Sequence, residues 1–298
     1  MLCKICNKRN LYPLFKNVID PLTNDSFEIK ICSCGIAQTI FENKKIENYY
    51  PEYYRKFNKY TTSLLSLFYK HKVFKWNKFF KNPGNILEIG CGHGYMLREF
   101  EKLNWKIFGT ERNKKQIDIA LKNVNNLTIK SRIKSFKQKK FDLIVLFHVL
   151  EHMQDPLNEL KMIRNVLKKG SLIVISVPNL SSWQAKLFKK NWLHLDVPRH
   201  LCHFKKKALK QILIDNNFSV IKESHISFEH DPIGWIESSL NYIFKDKNYI
   251  TKLLSSNKKF NTIKILLFLV LLVPSLLLSL FSWYFGKGAV VEILARYD

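Results

Sequence analysis

Short apolar runs and amphipathic stretches alternate through the middle of the chain. Four runs have the length and the Ile/Leu/Val/Phe content of buried strands: 86–89, 105–109, 141–147 and 171–176. Between them, Lys114–Asn123 and Pro156–Lys169 show helical spacing. Repeated strand–helix–strand units of this length predict an α/β fold with a parallel, doubly wound, Rossmann-like sheet.

Residues 41–84 precede this alternation and are rich in aromatic residues. Apolar side chains recur at roughly helical spacing from Leu64 to Trp76, and Asn82-Pro83-Gly84 then marks a turn. The pattern predicts a helical lid or linker packed on the domain that follows. A plain helix facing the core is equally compatible with it.

Composition and charge indicate a folded, strongly basic protein. Of the 298 residues, 46% are hydrophobic, which is too many for a disordered chain even at a formal net charge of +25. The lysines are spread in short clusters along the chain. These lysines are compatible with a generally basic surface that has no specific ligand. They are equally compatible with attraction to an anionic membrane, an acidic substrate or nucleic acid. The first residues lack an apolar run of signal-peptide length, which favours the cytosol.

Two close pairs of cysteines lie near the start of the chain, Cys3 with Cys6 and Cys32 with Cys34. In a cytosolic chain such cysteines indicate metal ligands or free thiols rather than disulfides. Two pairs separated by a hairpin-sized stretch are typical of a zinc ribbon, in which four thiolates surround a structural Zn²⁺ ion. The second pair encloses one residue rather than the usual two, so unliganded buried thiols are the alternative. We expect a zinc-ribbon-like module at residues 1–40.

A glycine-rich turn follows the first strand of the alternating region. Gly90, Gly92 and Gly94 let the backbone approach a ligand closely, since Cβ atoms there would block it. Glu111 comes about 20 residues later, at the end of the second strand, where a carboxylate can accept both hydroxyls of a ribose. Dinucleotide-binding enzymes carry the pattern Gly-x-Gly-x-x-Gly, and this chain lacks a third glycine at that wider spacing. In addition, the negative charge of Glu88 suits a cationic ligand better than a pyrophosphate.

Residues 86–97 resemble motif I of the class I methyltransferases, which use S-adenosyl-L-methionine (SAM). The stretch 141–156 resembles the fourth-strand motif of their ubiquinone-biosynthesis-like branch. The resemblance implies that SAM is held by the following residues: Glu88, Gly90, Cys91, Gly92 and Gly94 at the methionine end, Glu111 at the ribose, and Phe147 and His148 at the far edge. Many relatives carry an aspartate that contacts adenine where this chain has Lys130-Ser131-Arg132, so adenine recognition stays unassigned.

A second resemblance involves Trp192–Phe204, which is similar to a segment after the fifth strand in methyltransferases of bacterial surface-polysaccharide and lipid pathways. Many of those proteins also begin with a cysteine-paired ribbon. The resemblance implies an acceptor of that kind.

Four histidines occur where the methyl acceptor is expected: His148, His152, His200 and His203. Transfer from a sulfonium depends mainly on positioning, and a base helps where the acceptor is a hydroxyl or an acidic carbon. His152, His200 and His203 are the candidates for a base or for substrate positioning, although His152 also fits a capping or packing role at the start of the next helix. A catalytic metal is not expected, because the sequence offers no third ligand near the histidine pair.

The last apolar stretch, Ile263–Phe285, is long enough to span a bilayer. However, Pro274 interrupts it and 288–297 has a strand pattern; in the class I fold this strand returns to the sheet, which a crossing would prevent. We expect two short helices or one kinked helix at about 262–285, dipping into one leaflet with lysines on anionic headgroups and Trp283-Tyr284 at the interface. A buried helix pair or an oligomer interface is the alternative.

Residues 85–298 are therefore predicted to form a SAM-binding methyltransferase domain on the cytoplasmic side of a membrane. The expected acceptor is a hydroxyl of a sugar, a glycolipid, or a polyprenyl-linked or quinone-like compound. The alternatives are an RNA methyltransferase, favoured by the charge and the ribbon, and a non-catalytic zinc and membrane scaffold, which the intact glycines and Glu111 disfavour. Nucleic acid is not the expected partner, and the sequence leaves the oligomeric state open.

Overall fold

The computed structural model describes residues 2–8, 10–41, 46–50, 59–244, 247–248 and 262–298, without the side chains of 59–64. Its strands are, in chain order, β1 (Leu11–Ile19), β2 (Ser26–Cys32), β3 (Ile36–Ile40), β4 (Asn85–Ile89), β5 (Lys106–Thr110), β6 (Thr128–Lys130), β7 (Phe141–Phe147), β8 (Leu167–Pro178), β9 (Cys202–Phe204), β10 (Phe218–Ser224) and β11 (Val290–Tyr297). They form a seven-stranded sheet and a four-stranded sheet.

The large sheet has the strand order β10-β11-β8-β7-β4-β5-β6. The strands from β8 to β6 are parallel, whereas β11 is antiparallel to both β8 and β10. Leu143 to Leu146 of β7 are fully buried, because helices cover both faces of a parallel sheet. The α/β, Rossmann-like prediction is confirmed, and the strand expected over 288–297 returns to the sheet as β11, which begins at Val290.

Eight helices accompany these strands in the described part of the chain: α1 (Lys59–Asn77), α2 (Tyr95–Glu101), α3 (Lys114–Asn123), α4 (Pro156–Val166), α5 (Trp183–Phe188), α6 (Lys206–Asp215), α7 (Asp231–Ile243) and α8 (Thr262–Tyr284). The helix expected over 156–169 is shorter than predicted, because Leu167 is already extended and pairs with Phe141 of β7. Of the helical region expected over 41–84, positions 42–45 and 51–58 lie outside the described residues.

His152 does not begin α4, contrary to the sequence prediction. It ends a separate 3₁₀ turn, Leu150–His152. The cap of α4 is Asp155, whose side chain accepts a hydrogen bond from the backbone N–H of Asn158 at 3.0 Å, and Pro156 supplies the first helical residue. His152 therefore has no capping role.

The small sheet joins the N-terminal strands to the segment that follows β8. Its order is β1-β2-β3-β9, and β3 pairs antiparallel with β9 through Ala37 and His203. The hydroxyl of Thr39 also donates to the carbonyl of His200 at 2.7 Å. The strands β1, β2 and β3 and a segment expected to carry site residues are thus held together by one hydrogen-bonded sheet.

A buried ion-pair cluster attaches α1 to the large sheet. The ammonium of Lys72 lies 3.0 Å from Glu292 of β11 and 3.4 Å from Glu229. Burial alone lowers the pKa of Lys72, but the two carboxylates outweigh it and raise the pKa above its usual value. Lys72 therefore stays charged, and α1 and the 229 region are tied to β11.

The helix α8 is one continuous helix that contains Pro274, where the sequence predicted two short helices or a kinked one. Its polarity is inverted relative to a helix of a soluble core. Its buried positions include Ser275, Ser279 and Ser282, whereas its leucines, valines and phenylalanines are largely exposed. Among the described helices it is the one long and apolar enough to cross a membrane, and it packs against α7.

Both ends of α8 are fixed. The indole of Trp283 donates to the buried carboxylate of Asp231 at the start of α7, at 2.9 Å. At the other end, Leu267 and Leu271 pack on Leu240. The two helices therefore lie antiparallel, and β11 begins within a few residues of the end of α8.

Candidate active site

The glycine-rich turn connects β4 to α2 at the carboxyl edge of the parallel strands, where ligands bind in this class of fold. Gly90, Gly92 and Gly94 have φ values of 68°, 51° and 74°, which L side chains rarely adopt. A Cβ on Gly90 would lie 2.8 Å from Val149, and one on Gly94 would lie 3.0 Å from Val124. The turn therefore requires glycine for its backbone conformation and for close packing.

Glu88 lies at the base of this turn, in the second-to-last position of β4. Its side chain is buried, and its Oε2 accepts no hydrogen bond from any residue the structure describes. Burial, together with the negative charge of Glu111, raises the pKa of Glu88 well above its usual value. A cationic group bound beside it would satisfy the carboxylate and restore its ionised form, which fits the ammonium of the methionine end of SAM.

Glu111 follows β5 directly and is held by backbone N–H groups. Its Oε1 accepts from Arg112 and Asn113 at 2.7 and 3.0 Å, and its Oε2 accepts from Gly92 at 3.1 Å. These bonds fix the carboxylate beside the glycine turn. The arrangement brings together the two carboxylates and the glycines that the sequence assigned to the cofactor.

Cys91 lies in the turn, and its side chain is buried against β5. A Cβ on Gly109 of β5 would lie 2.7 Å from its sulfur, so the thiol packs directly on that glycine. Burial, followed by the charges of Glu88 and Glu111, raises the pKa of the Cys91 thiol. The side chain of Cys91 is therefore an uncharged packing group at neutral pH.

Phe147 is the last residue of β7, which neighbours β4, and His148 follows it directly. His148 has a φ of 55° although it is not glycine, a conformation that costs on the order of 1 kcal/mol and is concentrated at functional sites. Its N–H donates to the carbonyl of Ser176 at 2.9 Å, and its Nδ1 lies 3.3 Å from Glu151. Backbone and side-chain contacts together hold this ring at the edge expected for the cofactor.

His152 and His200 come together around Glu151. The Nδ1 atoms lie 2.9 Å from backbone carbonyls, that of His152 from Arg199 O and that of His200 from His194 O. A carbonyl only accepts, so in these contacts each Nδ1 carries the hydrogen and each Nε2 is the basic atom. The ring centroids are 4.7 Å apart.

The same three residues have the composition of a metal site. One ligand atom from each of Glu151, His152 and His200 lies within 4.8 Å of the others. The backbone bonds at Nδ1 are those that orient metal-binding histidines. The sequence alone offered no third ligand near the histidines, whereas the fold brings the carboxylate of Glu151 close to them.

His203 lies apart from this cluster, in β9 of the small sheet. Its Nε2 lies 3.0 Å from the hydroxyl of Thr39, and the side chain is buried. Burial, and then the charge of His200, lower the pKa of His203 to about 3. The ring is neutral at physiological pH and part of a sheet contact.

Two histidines near the site were not singled out from the sequence. The ring of His230, just before α7, lies 4.3 Å from that of His148, and His194 lies 5.9 Å from His230. Both come from segments without strand or helix periodicity, so nothing in the pattern placed them at the end of β7. The Asp231-Pro232 pair that begins α7 was the one local signal available.

The four N-terminal cysteines form a compact cluster. The sulfur atoms of Cys3 and Cys34 are 3.7 Å apart, those of Cys6 and Cys32 are 3.4 Å apart, and all four lie within 4.8 Å of one another. Zinc–sulfur bonds of about 2.3 Å in a tetrahedron place sulfurs about 3.8 Å apart. The single residue between Cys32 and Cys34 is thus compatible with a four-thiolate site.

Comparison with known proteins agrees with this geometry. Residues 57–223 match the family model described as a methyltransferase domain. The ubiquinone biosynthesis O-methyltransferase of Pelagibacter ubique is 27% identical over 54% of this chain and 73% of its own length. The protein of that name from Bartonella tribocorum is 26% identical over 54% and 72%.

A solved SAM-dependent methyltransferase from Archaeoglobus fulgidus has the same fold. It has a TM-score of 0.50 and 20% identity, and the similarity covers 78% of this chain and 94% of that one. The family match spans more than half of the chain. The chain therefore belongs to the methyltransferase domain family and is a SAM-dependent methyltransferase.

Proposed function

We propose that this enzyme transfers the methyl group of SAM to a hydroxyl of a lipid-like acceptor at a membrane surface. A glycolipid, a lipid-linked sugar and a quinone-like compound all belong to this class. The observation that carries the proposal is the inverted polarity of α8, whose serines face the protein and whose large apolar side chains face outward. Small polar residues at a helix contact and apolar residues outside are typical of helices surrounded by lipid.

Two further observations support this proposal. The relatives reported above are named O-methyltransferases of ubiquinone biosynthesis, and ubiquinone is apolar. The chain carries a net charge of +25, which attracts the anionic surface of a cytoplasmic leaflet. An acceptor dissolved in the membrane would then bind at the carboxyl edge of the large sheet while the enzyme is attached to the membrane surface.

In this proposal the residues of the glycine turn hold the cofactor. Glu88 binds the ammonium of SAM, and Glu111 binds the ribose hydroxyls. Phe147 and His148 lie against the far edge of the cofactor. SAM supplies a methyl group on a positively charged sulfur, which is already an activated leaving group. The protein therefore has to hold the acceptor oxygen in line with that methyl and remove the hydroxyl proton.

His200 is the best-placed of the three histidines for proton removal. Its Nδ1 is fixed on His194 O, so its Nε2 is the atom that accepts the proton, and Glu151 lies 4.0 Å from that nitrogen. A nearby carboxylate stabilises the imidazolium that forms. His152 completes the arrangement as a positioning residue, whereas the low pKa of His203 makes it a poor base.

The acceptor class can be tested with SAM that carries a labelled methyl group. We expect label in a membrane-lipid extract of the source cells rather than in their RNA. The variant His200→Gln should transfer methyl groups about 10²- to 10⁴-fold more slowly, which is the usual contribution of a general base, with unchanged SAM affinity. Label recovered in RNA would contradict the proposal and favour an RNA methyltransferase.

The cysteine cluster is proposed to bind one structural zinc ion. With four protein thiolates the site has no open position, so the metal would stabilise the N-terminal module and take no part in methyl transfer. The module also holds β9 and thereby the segment that carries His200. Zinc would support the site indirectly.

Metal analysis of purified protein tests this assignment. We expect one zinc per chain in the wild type and almost none in Cys6→Ser, because removing one thiolate opens the tetrahedral site. Cys91→Ala removes a buried cysteine outside the cluster and should keep its zinc. Equal zinc content in the wild type and in Cys6→Ser would show that the cluster does not bind the ion.

A further inference from the structure

A cavity of about 140 Å³ lies between β1, the segment after α5 and the end of α7. It is large enough for several water molecules. Its lining includes the polar residues Lys190, Asn191, Asp196, Asn241, Lys247 and Asn248. It is separate from the glycine turn, because no residue of 88–111 contributes to it.

The cavity has an excess of positive charge. Lys190 and Lys247 both line it, and within the described residues neither lies within 4.0 Å of a carboxylate. Asp196 also lines the cavity, but its Oδ1 accepts two bonds from Arg199 at 2.9 and 2.7 Å. Arg199 pairs with buried Asp20 as well, so three cations and two carboxylates leave a net positive charge of about one.

Lys247 is held in place by neutral groups. Its ammonium donates to the side chain of Asn191 at 2.9 Å and to the carbonyl of Asn241. Asn241 in turn donates to the side chain of Asn248 at 2.7 Å. Burial, and then the positive charge of Lys190, lower the pKa of Lys247. An anion bound between the two ammonium groups would offset their repulsion and favour the charged form of Lys247.

An apolar surface begins next to this cavity. Tyr242 and Ile243 follow Asn241 directly in α7 and are 70% and 61% exposed. The first turns of α8 lie alongside, where Lys264 stands over the ring of Phe244. An anionic ligand in the cavity that also carried hydrocarbon chains would place those chains along α7 and α8.

From these observations we infer that the cavity binds the phosphate headgroup of an anionic membrane lipid, with Lys190 and Lys247 as its cationic contacts. The inference rests on the proposed membrane-surface function, and it adds a specific headgroup site to it. A free phosphate compound has the same charge but no hydrocarbon chains to cover Tyr242 and Ile243. The two sources can therefore be separated by experiment.

The test titrates soluble dihexanoyl phosphatidic acid and inorganic phosphate separately into the full-length protein in a phosphate-free buffer. We expect the phosphatidic acid to bind more than tenfold more tightly than inorganic phosphate. The double variant Lys190→Gln/Lys247→Gln should weaken phosphatidic acid binding about 30-fold, since each lysine near an anionic headgroup contributes roughly a factor of five. The matched control Lys122→Gln/Lys207→Gln removes two exposed lysines elsewhere and should stay within twofold of the wild type.

Three outcomes would overturn the inference: no binding of phosphatidic acid to the wild type, equal losses in the two double variants, and equal affinities for phosphatidic acid and inorganic phosphate. SAM titrated into the same samples monitors the fold and the cofactor site independently. If the cavity variant alone loses phosphatidic acid binding but label from SAM never enters a lipid, the headgroup site stands and the proposed acceptor fails.

Discussion

Replacing Glu111 by alanine is expected to lower the affinity for SAM by about 100-fold or more. Hydrogen bonds to a charged group contribute about 1.5 to 3 kcal/mol each, and 1.4 kcal/mol corresponds to a factor of ten. The carboxylate is also the acceptor for the N–H groups of Gly92, Arg112 and Asn113, so its loss loosens the turn that surrounds the ligand. Calorimetric titration of SAM measures the change.

The control for this experiment is Asp118→Ala, which removes an exposed carboxylate from α3 and should bind SAM as the wild type does. Gly92→Val provides an independent second variant. Gly92 has a φ of 51°, and a valine there would be strained and would extend toward the ligand. Wild-type affinity in Glu111→Ala would refute the assigned role of this carboxylate, and failure of the folded wild type to bind SAM would refute the whole site.

The second large effect is expected for the outward face of α8. Leu269, Val273 and Leu277 are 57%, 63% and 52% exposed and lie one turn apart. Full burial of one such side chain contributes about 1.5 to 3 kcal/mol, so replacing all three by glutamine should weaken vesicle binding at least about 100-fold. Flotation with vesicles that contain an anionic phospholipid measures the bound fraction.

A matched variant separates this effect from a general loss of apolar surface. Ile119, Leu121 and Ile214 are also exposed, but they belong to α3 and α6. Replacing these three by glutamine should leave vesicle binding unchanged. If both triple variants float equally well, α8 is not the membrane contact. An interface between copies of the chain would then explain its exposed leucines, and sedimentation would detect it.

The sequence predicted the central sheet well because its signals are local. The run Phe141–Phe147 is buried on both faces and reads as a strand without any neighbour. Lys114–Asn123 matches the observed α3, where Asn113 caps the helix by accepting from Gln116. The glycine turn was also predictable, since a backbone with three positive φ values requires glycine and is visible in the sequence of a single turn.

The contacts that the sequence did not predict depend on residues far apart in the chain. Lys72 pairs with Glu229 and Glu292, which lie far from it in the sequence, and each of the three residues alone resembles an ordinary surface charge. Glu151 lies close to His200 because its carbonyl accepts a hydrogen bond from the backbone N–H of Leu201 at 2.8 Å. The burial of the α8 serines could not be predicted from the overall hydrophobicity of the segment, because composition does not tell which face of a helix a residue occupies.

The pairing of β3 with β9 affects the order in which the molecule can form. The hydroxyl of Thr39 donates to the carbonyl of His200, a residue 161 positions later in the chain. Closing so long a loop is slow and entropically costly, so the two hairpin-linked pairs among β1, β2 and β3 can form early, while the fourth strand must wait. During synthesis the β3 edge of this sheet therefore stays unpaired until the residues of β9 have been made.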